Sequence, residues 1–247
     1  MYISVTADQV VELTKEDEKL ISLVSKYSMT PKIRIYNLLQ SLKDLEQRNV
    51  QGDYVECGVW KGGNILLFKK FMEDKKNIKK KIYAYDGRET SSSLVKDDMY
   101  LINNNKMQFI EAVQKPFSVG VPGLYSMLAD AHNKFGVLQW EKLFISAIQH
   151  SEGFKVGERL NKLLNWAPHI KKNKFVNDIY FNKGEAKKKG NLIQNLNLKK
   201  SLKILSKNPY SINKGTLAKK ISERLDNKLS LDDLRKWETI ERDPLCK

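Results

Sequence analysis

Cysteine, histidine, acidic residues and long apolar runs are scarce in this 247-residue chain, and each shortage narrows what it can do. Only Cys57 and Cys246 occur, far apart and without C-x-x-C or C-x-C spacing, so neither a disulfide framework nor a thiolate zinc site is indicated. They read as two buried or idle thiols. His132, His150 and His169 are too dispersed for a metal pair one helical turn apart, which favours core or surface roles. No apolar run is long enough for a membrane span, and the N-terminus lacks a basic segment followed by an apolar one. As written, the product should stay in the cytoplasm. Asp and Glu number 29 against 44 Lys and Arg, a net charge of +15. Such an excess supports loose contact with polyanions. The lysines, however, are spread over 75–81, 171–174, 187–189 and 199–203 among Asn and Ile, without interleaved aromatics. They read as solvated helix faces, and no specific nucleic-acid or membrane partner is expected.

What is present is a 41% hydrophobic composition, enough for one large core or two modest ones. Thr14 to Asp17 forms a capping-box-like start, and Leu20, Ile21, Leu23 and Val24 give the following helix an apolar side. In the next helix Thr30 suits the cap and Pro31 the first turn, with Ile35, Leu38, Leu39, Leu42 and Leu45 at helical spacing. Gly52-Asp53 turns the chain into Tyr54–Cys57, a short strand of buried type. A glycine turn, a helix over 65–72 and a second strand over 82–85 complete a βαβ unit with a parallel pair. Beyond Asp86 helical patterns dominate, and only 178–182 suggests a further strand. Ser118 to Gly123 suits a tight turn leading into a helix, and Ser230 suits a cap for a helix at 231–237. Asp232 and Asp233 then favour the positive end of that helix and read as caps, not acid–base catalysts. Trp60, Trp140, Trp166 and Trp237 fall at element ends or on apolar faces and read as packing residues.

Two constellations carry chemistry. In the first, a glycine turn after one strand admits a nucleoside, and an acid at the end of the next strand can accept from ribose hydroxyls. Glu56, Gly58, Gly62, Gly63 and Asp86 occupy those positions. A structural turn followed by an ordinary strand-end aspartate accounts for the same letters. In the second, Arg88 follows the strand and precedes a polar run, where its guanidinium could meet a carboxylate through two parallel hydrogen bonds. Ion pairing with Glu89 or Asp97 is the plainer alternative.

The runs Tyr27 to Pro31 and Arg34 to Tyr36, and above all Gly52 to Gly63 (GDYVECGVWKGG), resemble the entry segment of the macrocin O-methyltransferase family. This resemblance runs from about 27 to 86. It implies S-adenosylmethionine as cofactor, held at Glu56, Gly58, Gly62 and Gly63, to which the spacing above adds Asp86. The strands and metal carboxylates that the family carries afterwards do not follow Asp86, so this half-site alone should not catalyse.

From about 81 to 247 the chain resembles the large-subunit region of gamma-glutamyltransferases, also called glutathione hydrolases. The likeness rests on Asp86-Gly-Arg-Glu-Thr90, Ser118 to Gly123, Gly153 to Val156, Lys214 to Ile221, Leu231 to Arg235 and Ile240 to Pro244, in that order. It implies that Arg88 binds the α-carboxylate of a γ-glutamyl group such as that of glutathione, with no cofactor. It also implies a nucleophilic N-terminal threonine on a second, small subunit. No internal residue of this chain is expected to stand in for that threonine, so no catalytic residue is assigned, and Thr90, Thr216 and Thr239 read as loop or capping residues. Ser92, and Ser211 to Asn213, depart from the family pattern and suggest a relaxed fit. The resembled hydrolases are often exported, against the cytoplasmic reading above.

The expected architecture is therefore mixed α/β and mostly helical. An incomplete βαβ unit of a Rossmann-like methyltransferase, within residues 1–86, precedes the helical part of an N-terminal-nucleophile hydrolase large subunit at 87–247. The chain reads as a junction of the two, inactive alone. An O-methyltransferase or a non-catalytic partner subunit are the alternatives.

Overall fold

The computed structural model describes residues 2–6, 9–73 and 80–242, so Cys246, the lysines at 75–79 and the end of the Ile240 to Pro244 motif lie outside the described residues. Its contacts divide the chain into two compact units, Met1–Arg88 with Thr239–Lys247, and Glu89–Glu238.

The first unit opens with an antiparallel hairpin of β1 (Tyr2–Thr6) and β2 (Gln9–Glu12). In α1 (Lys15–Val24) the Thr14 hydroxyl caps the helix by accepting from the Asp17 amide at 3.1 Å. Asp17 itself is buried, and its carboxylate receives Lys43 Nζ at 2.7 Å from α2 (Lys32–Gln47). The expected cap at Thr30 slips by one residue. Ser28 accepts from the Thr30 amide at 3.1 Å and lies 2.7 Å from its hydroxyl, which leaves extended Pro31 as the residue before the helix. After α2, Gly52 adopts φ 113°, a conformation glycine takes without strain, and leads into β3 (Tyr54–Cys57). Next come α3 (Gly63–Glu73) and β4 (Ile82–Asp86), which pairs parallel with β3 from Tyr54↔Ile82 to Cys57↔Tyr85. Ile21, Val24, Ile35, Leu39, Leu42, Leu67, Phe68 and Phe71 meet in one apolar cluster beneath this pair. The helical spacing of those residues in α1, α2 and α3 is what lets three helices share it.

The second unit is mostly helical. It begins with the short hairpin β5 (Leu101–Ile102) and β6 (Asn105–Lys106), then α4 (Phe109–Ala112) and α5 (Leu124–Phe135). A 3-10 turn over Trp140–Phe144 runs into α6 (Ile145–Glu152), β7 (Phe154–Lys155) and α7 (Glu158–Trp166). The strand expected at 178–182 is largely helix. Asn173 caps α8 (Lys174–Tyr180) by accepting from Val176, which keeps helical register through Tyr180. Only Phe181–Asn182 (β8) is extended, pairing with β9 (Glu185–Ala186) through Lys183 and Gly184 at φ 50° and 82°. β10 (Leu192–Ile193) pairs with β7, and α9 (Leu196–Lys207), α10 (Ser211–Lys214), α11 (Thr216–Arg224) and α12 (Leu231–Lys236) complete the unit. Phe144, Leu202, Leu205 and Leu217 form one of its cores.

The last strand, β11 (Ile240–Arg242), belongs to the first unit. It pairs antiparallel with β4, so β4 is the centre of a three-stranded sheet of order β11-β4-β3.

Two of the four tryptophans depart from the packing role expected of them. Trp237 is buried, and the Trp140 indole donates to the Leu205 carbonyl at 3.0 Å. Trp60 is 54% exposed and Trp166 82%. Trp60 takes φ 48° in the turn after β3, with the Lys61 ammonium 4.9 Å from its ring centre. Trp166 lies two residues past buried Leu164, and that spacing turns a helical side chain to the opposite face.

Candidate functional site

The parallel pairing of β3 and β4 brings their carboxyl ends side by side. Gly58 donates its amide to the Tyr85 carbonyl at 2.8 Å, so the glycine turn and Asp86 begin from neighbouring positions. Gly58 and Gly62 have φ of 97° and 81°, and a Cβ on either would meet nothing within 4 Å. Conformation requires glycine there, and the space around both is open. Gly63 differs, because a Cβ would lie 2.7 Å from the Tyr27 carbonyl oxygen and 2.8 Å from Ser28 Cβ. It is buried at the start of α3, and its lack of a side chain serves the approach of the 27–28 segment. Of the three glycines singled out for a cofactor, one therefore has a purely internal reason.

Glu56 is half-buried at the end of β3. Asn64 Nδ2 donates to its Oε1 at 2.6 Å, whereas Oε2 is buried without a hydrogen-bond partner. Burial pushes this carboxyl above its ordinary value, and the hydrogen bonds from Asn64 and the Ile65 backbone oppose that rise. Asn64 escaped the sequence reading, although an amide at the second position of a helix behind a strand-end acid is a readable signal. Cys57 is exposed rather than buried, and desolvation, followed by the Glu56 charge, raises its thiol above the usual range. The thiol form is favoured, which suits an idle residue better than a nucleophile.

Asp86 ends β4, and its Oδ1 accepts the backbone N–H of Arg88 at 3.0 Å. The two residues that opened rival sequence readings thus share one Asx-type turn. Asp86 fixes the backbone from which the exposed Arg88 side chain departs. A cavity of about 690 Å³ in the same unit lies elsewhere, against Thr14, Asp17, Leu20, Leu39, Lys43 and Phe71, and includes none of these residues.

In the second unit the segment after Arg88 is pinned at two points. Thr90 bridges to Val121, whose amide donates to the Thr90 carbonyl at 2.8 Å. Asp233 of α12 accepts from the Ser93 amide at 3.0 Å and the Ser92 hydroxyl at 3.1 Å, while completing a capping box with Ser230. Partial burial raises the Asp233 carboxyl, but the hydrogen bonds from Ser230 and Ser93 outweigh it and hold the group well below the usual carboxylate range. The two segments that depart from the family pattern thus have structural work. Ser92 is buried against Asp233, and buried Asn213 donates to the carbonyls of Pro122 and Leu234 and accepts from Ser126. Among the described residues no group of three metal-ligating side chains is assembled.

A family model described as Gamma-glutamyltranspeptidase matches residues 70–247, and one described as Macrocin-O-methyltransferase (TylF) matches residues 10–117. The two matches overlap over 70–117, which includes β4, Asp86 and Arg88. Curated relatives include the glutathione hydrolase proenzyme of Escherichia coli, 26% identical over 66% of this chain and 29% of its own length. Glutathione hydrolase 3 of Arabidopsis thaliana is 28% identical over 71% of this chain and 27% of its own length. The chain therefore spans between a quarter and a third of these curated relatives. Among solved structures, a gamma-glutamyltranspeptidase from Pseudomonas nitroreducens complexed with L-DON aligns at TM-score 0.59 and 26% identity, over 68% of this chain and 50% of that one. A Helicobacter pylori gamma-glutamyltranspeptidase aligns at TM-score 0.60 and 21% identity, over 66% of this chain and 49% of that one, a likeness of fold.

Proposed function

From the premise that this chain belongs to the gamma-glutamyltranspeptidase family over residues 70–247, we propose that it supplies the substrate-holding part of a γ-glutamyl hydrolysis or transfer reaction. Arg88 receives the α-carboxylate of the γ-glutamyl group, as in glutathione. The observation that carries this reading is the turn at the end of β4, where Asp86 holds the Arg88 amide at 3.0 Å and so fixes the backbone of an exposed arginine. A guanidinium on a fixed backbone can meet a carboxylate through two parallel hydrogen bonds. The reaction needs no cofactor. A threonine hydroxyl adds to the γ-carbonyl carbon, the amide C–N bond breaks, the amine leaves with the hydroxyl proton, and water or an acceptor amine cleaves the resulting ester. The proposal places that threonine at the N-terminus of a second subunit. Within this chain Thr90 is committed to a β-bridge and Thr216 to the first turn of α11.

Incubating the purified chain with a chromogenic γ-glutamyl amide is expected to release no product, while calorimetry detects binding of the amide. Arg88→Ala weakens that binding by about tenfold or more, and Arg88→Lys restores only part of it, since a single ammonium cannot make the paired contact. Turnover by the chain alone would overturn the second-subunit assignment. Binding indifferent to Arg88→Ala would overturn the reading itself.

A second reading is favoured by one specific atom. Glu56 Oε2 is a buried acceptor without a partner beside the open Gly58–Gly62 turn, in the region matched by the methyltransferase model. In that reading residues 1–86 are the start of a Rossmann-like domain, joined at β4 to the hydrolase-like segment. S-adenosylmethionine would supply an electrophilic methyl group, with Glu56 accepting a hydrogen bond from it and Asp86 beside it. Calorimetric titration with S-adenosylmethionine tests this: heat that Gly58→Arg abolishes supports it, and a flat titration removes it.

A further inference from the structure

Residues 156–191 form an excursion closed at its base by β7 and β10. Across that base the Val156 amide donates to the Asn191 carbonyl and the Gly190 amide to the Val156 carbonyl, both at 2.9 Å. Inside it, Asn161 Nδ2 donates to the Lys187 carbonyl at 3.0 Å and Lys171 Nζ to the Gly184 carbonyl at 3.4 Å, which ties α7, the turn after it and the β8–β9 hairpin together. The segment holds nine Lys and Arg against three Asp and Glu, so it carries +6 of the chain's +15.

Several of its apolar groups are exposed. On α7, Leu164 is buried, while Leu163 and Trp166 are 47% and 82% exposed. Together with Glu158, Arg159 and Lys162 they line a surface groove of about 600 Å³. Phe175, flanked in sequence by Lys174 and preceded by Lys171 and Lys172, is also exposed. The sequence reading took these lysines as solvated faces without interleaved aromatics and expected no membrane partner. In the groove Arg159 and Lys162 stand beside Trp166, with Lys162 paired to Glu158 at 2.8 Å, and Lys174 adjoins Phe175 in the chain.

We propose that the exposed surface of this excursion docks on an anionic lipid surface. Tryptophan and leucine standing out beside lysine and arginine are the pairing that an interface demands, with apolar groups entering below the headgroups and cations meeting the phosphates. Either signal alone gives marginal binding, and the excursion supplies both. Single-stranded nucleic acid fits less well. A stacking platform needs successive open aromatic faces, but Leu163 offers none and Phe175 already carries the Arg224 guanidinium 4.5 Å from its ring centre. No helix among the described residues is long and apolar enough to cross a membrane, so the contact proposed is with the surface.

Flotation of the full chain with vesicles tests this, comparing phosphatidylserine–phosphatidylcholine mixtures with pure phosphatidylcholine. The expected result is binding to the anionic vesicles that weakens as salt rises. Leu163→Ala/Trp166→Ala lowers it by about tenfold or more, in line with the lost apolar area. Lys172→Glu/Lys174→Glu lowers it by at least about fivefold per lysine. All four side chains are exposed, so thermal melts of both variants should match the parent. Absence of binding to either vesicle, equal binding to both, or binding that both variants retain would overturn the proposal. So would a salt-sensitive affinity for a single-stranded oligonucleotide lost with Trp166→Ala in a chain that ignores lipid, which would assign the face to nucleic acid.

Discussion

The two units are held together in different ways. In the first, the buried residues are almost all apolar. Ile21, Leu39, Leu42, Leu67 and their neighbours form one cluster, and Asp17 is buried only in company with Lys43. In the second, Ser92, Ser126, Ser151, Ser206, Ser211, Asn213 and Ser222 are buried beside smaller apolar cores. Area removed from water stabilises a unit without regard to direction, whereas a buried amide or hydroxyl stabilises it only in the one arrangement that satisfies each donor and acceptor. The first unit should therefore lose stability in proportion to volume removed. The second should lose it in proportion to hydrogen bonds broken.

The largest effect should come from the apolar side of this contrast. Leu39 is 1% exposed between α1, α2 and α3, and Leu39→Ala is expected to cost ~3–4 kcal/mol, read as a lower urea midpoint at unchanged slope. Next comes Asn213, whose amide serves two carbonyls and one hydroxyl from two separate segments, 122–126 and the residue Leu234. Asn213→Ala should cost about 2–3 kcal/mol by the same measurement, although the volume lost is smaller than at Leu39. If Asn213→Leu, which fills the space without the hydrogen bonds, proved as stable as the parent, the contrast between the units would fail.

This difference also explains what was legible in the sequence. Periodicity reports apolar burial, so β3 has the bounds expected of it, and α1 and α2 bury Ile21, Val24, Ile35, Leu39 and Leu42 of the residues their spacing marked, while Leu23 stays exposed. Asp86 and Arg88 were legible as two rival roles, whereas the turn they share, an interaction within three residues, was not read. A buried serine or asparagine leaves no periodic trace. Asn213 and Ser92 read as departures from a family pattern, and only their partners, 141 residues away for Ser92, show why they are there. Trp60 and Trp166 failed as packing residues for the complementary reason: apolar character alone does not say which face of an element is covered. The return of β11 to β4 was invisible too. An edge register between strands so far apart is set by long-range contacts rather than local letters.

The adjacent aspartates of α12 give the finest test of the comparison. Both stand in the first helical turn and look equivalent as letters, yet Asp233 is held by Ser230, Ser92 and Ser93, whereas Asp232 pairs with exposed Lys236 one turn on, at 2.6 Å. An exposed i, i+4 pair gains little over hydration, so Asp232→Asn should leave the unfolding midpoint within error of the parent at moderate salt. Asp233→Asn keeps the shape but forfeits charge-assisted acceptance at a cap, and should cost about 1 kcal/mol at neutral pH. The sign of the pH dependence follows from the depressed carboxyl. Its folded-state affinity for protons is lower than in the unfolded chain, so the stabilisation is complete above the ordinary carboxylate range and is lost as pH falls through and below it. Parent and Asp233→Asn stabilities should accordingly converge on acidification, with little change in the gap on adding salt. A gap that stayed constant down to acid pH would mean that the loss on Asp233→Asn does not come from the carboxylate charge, and that the charge-assisted cap is not what holds the second unit at this point.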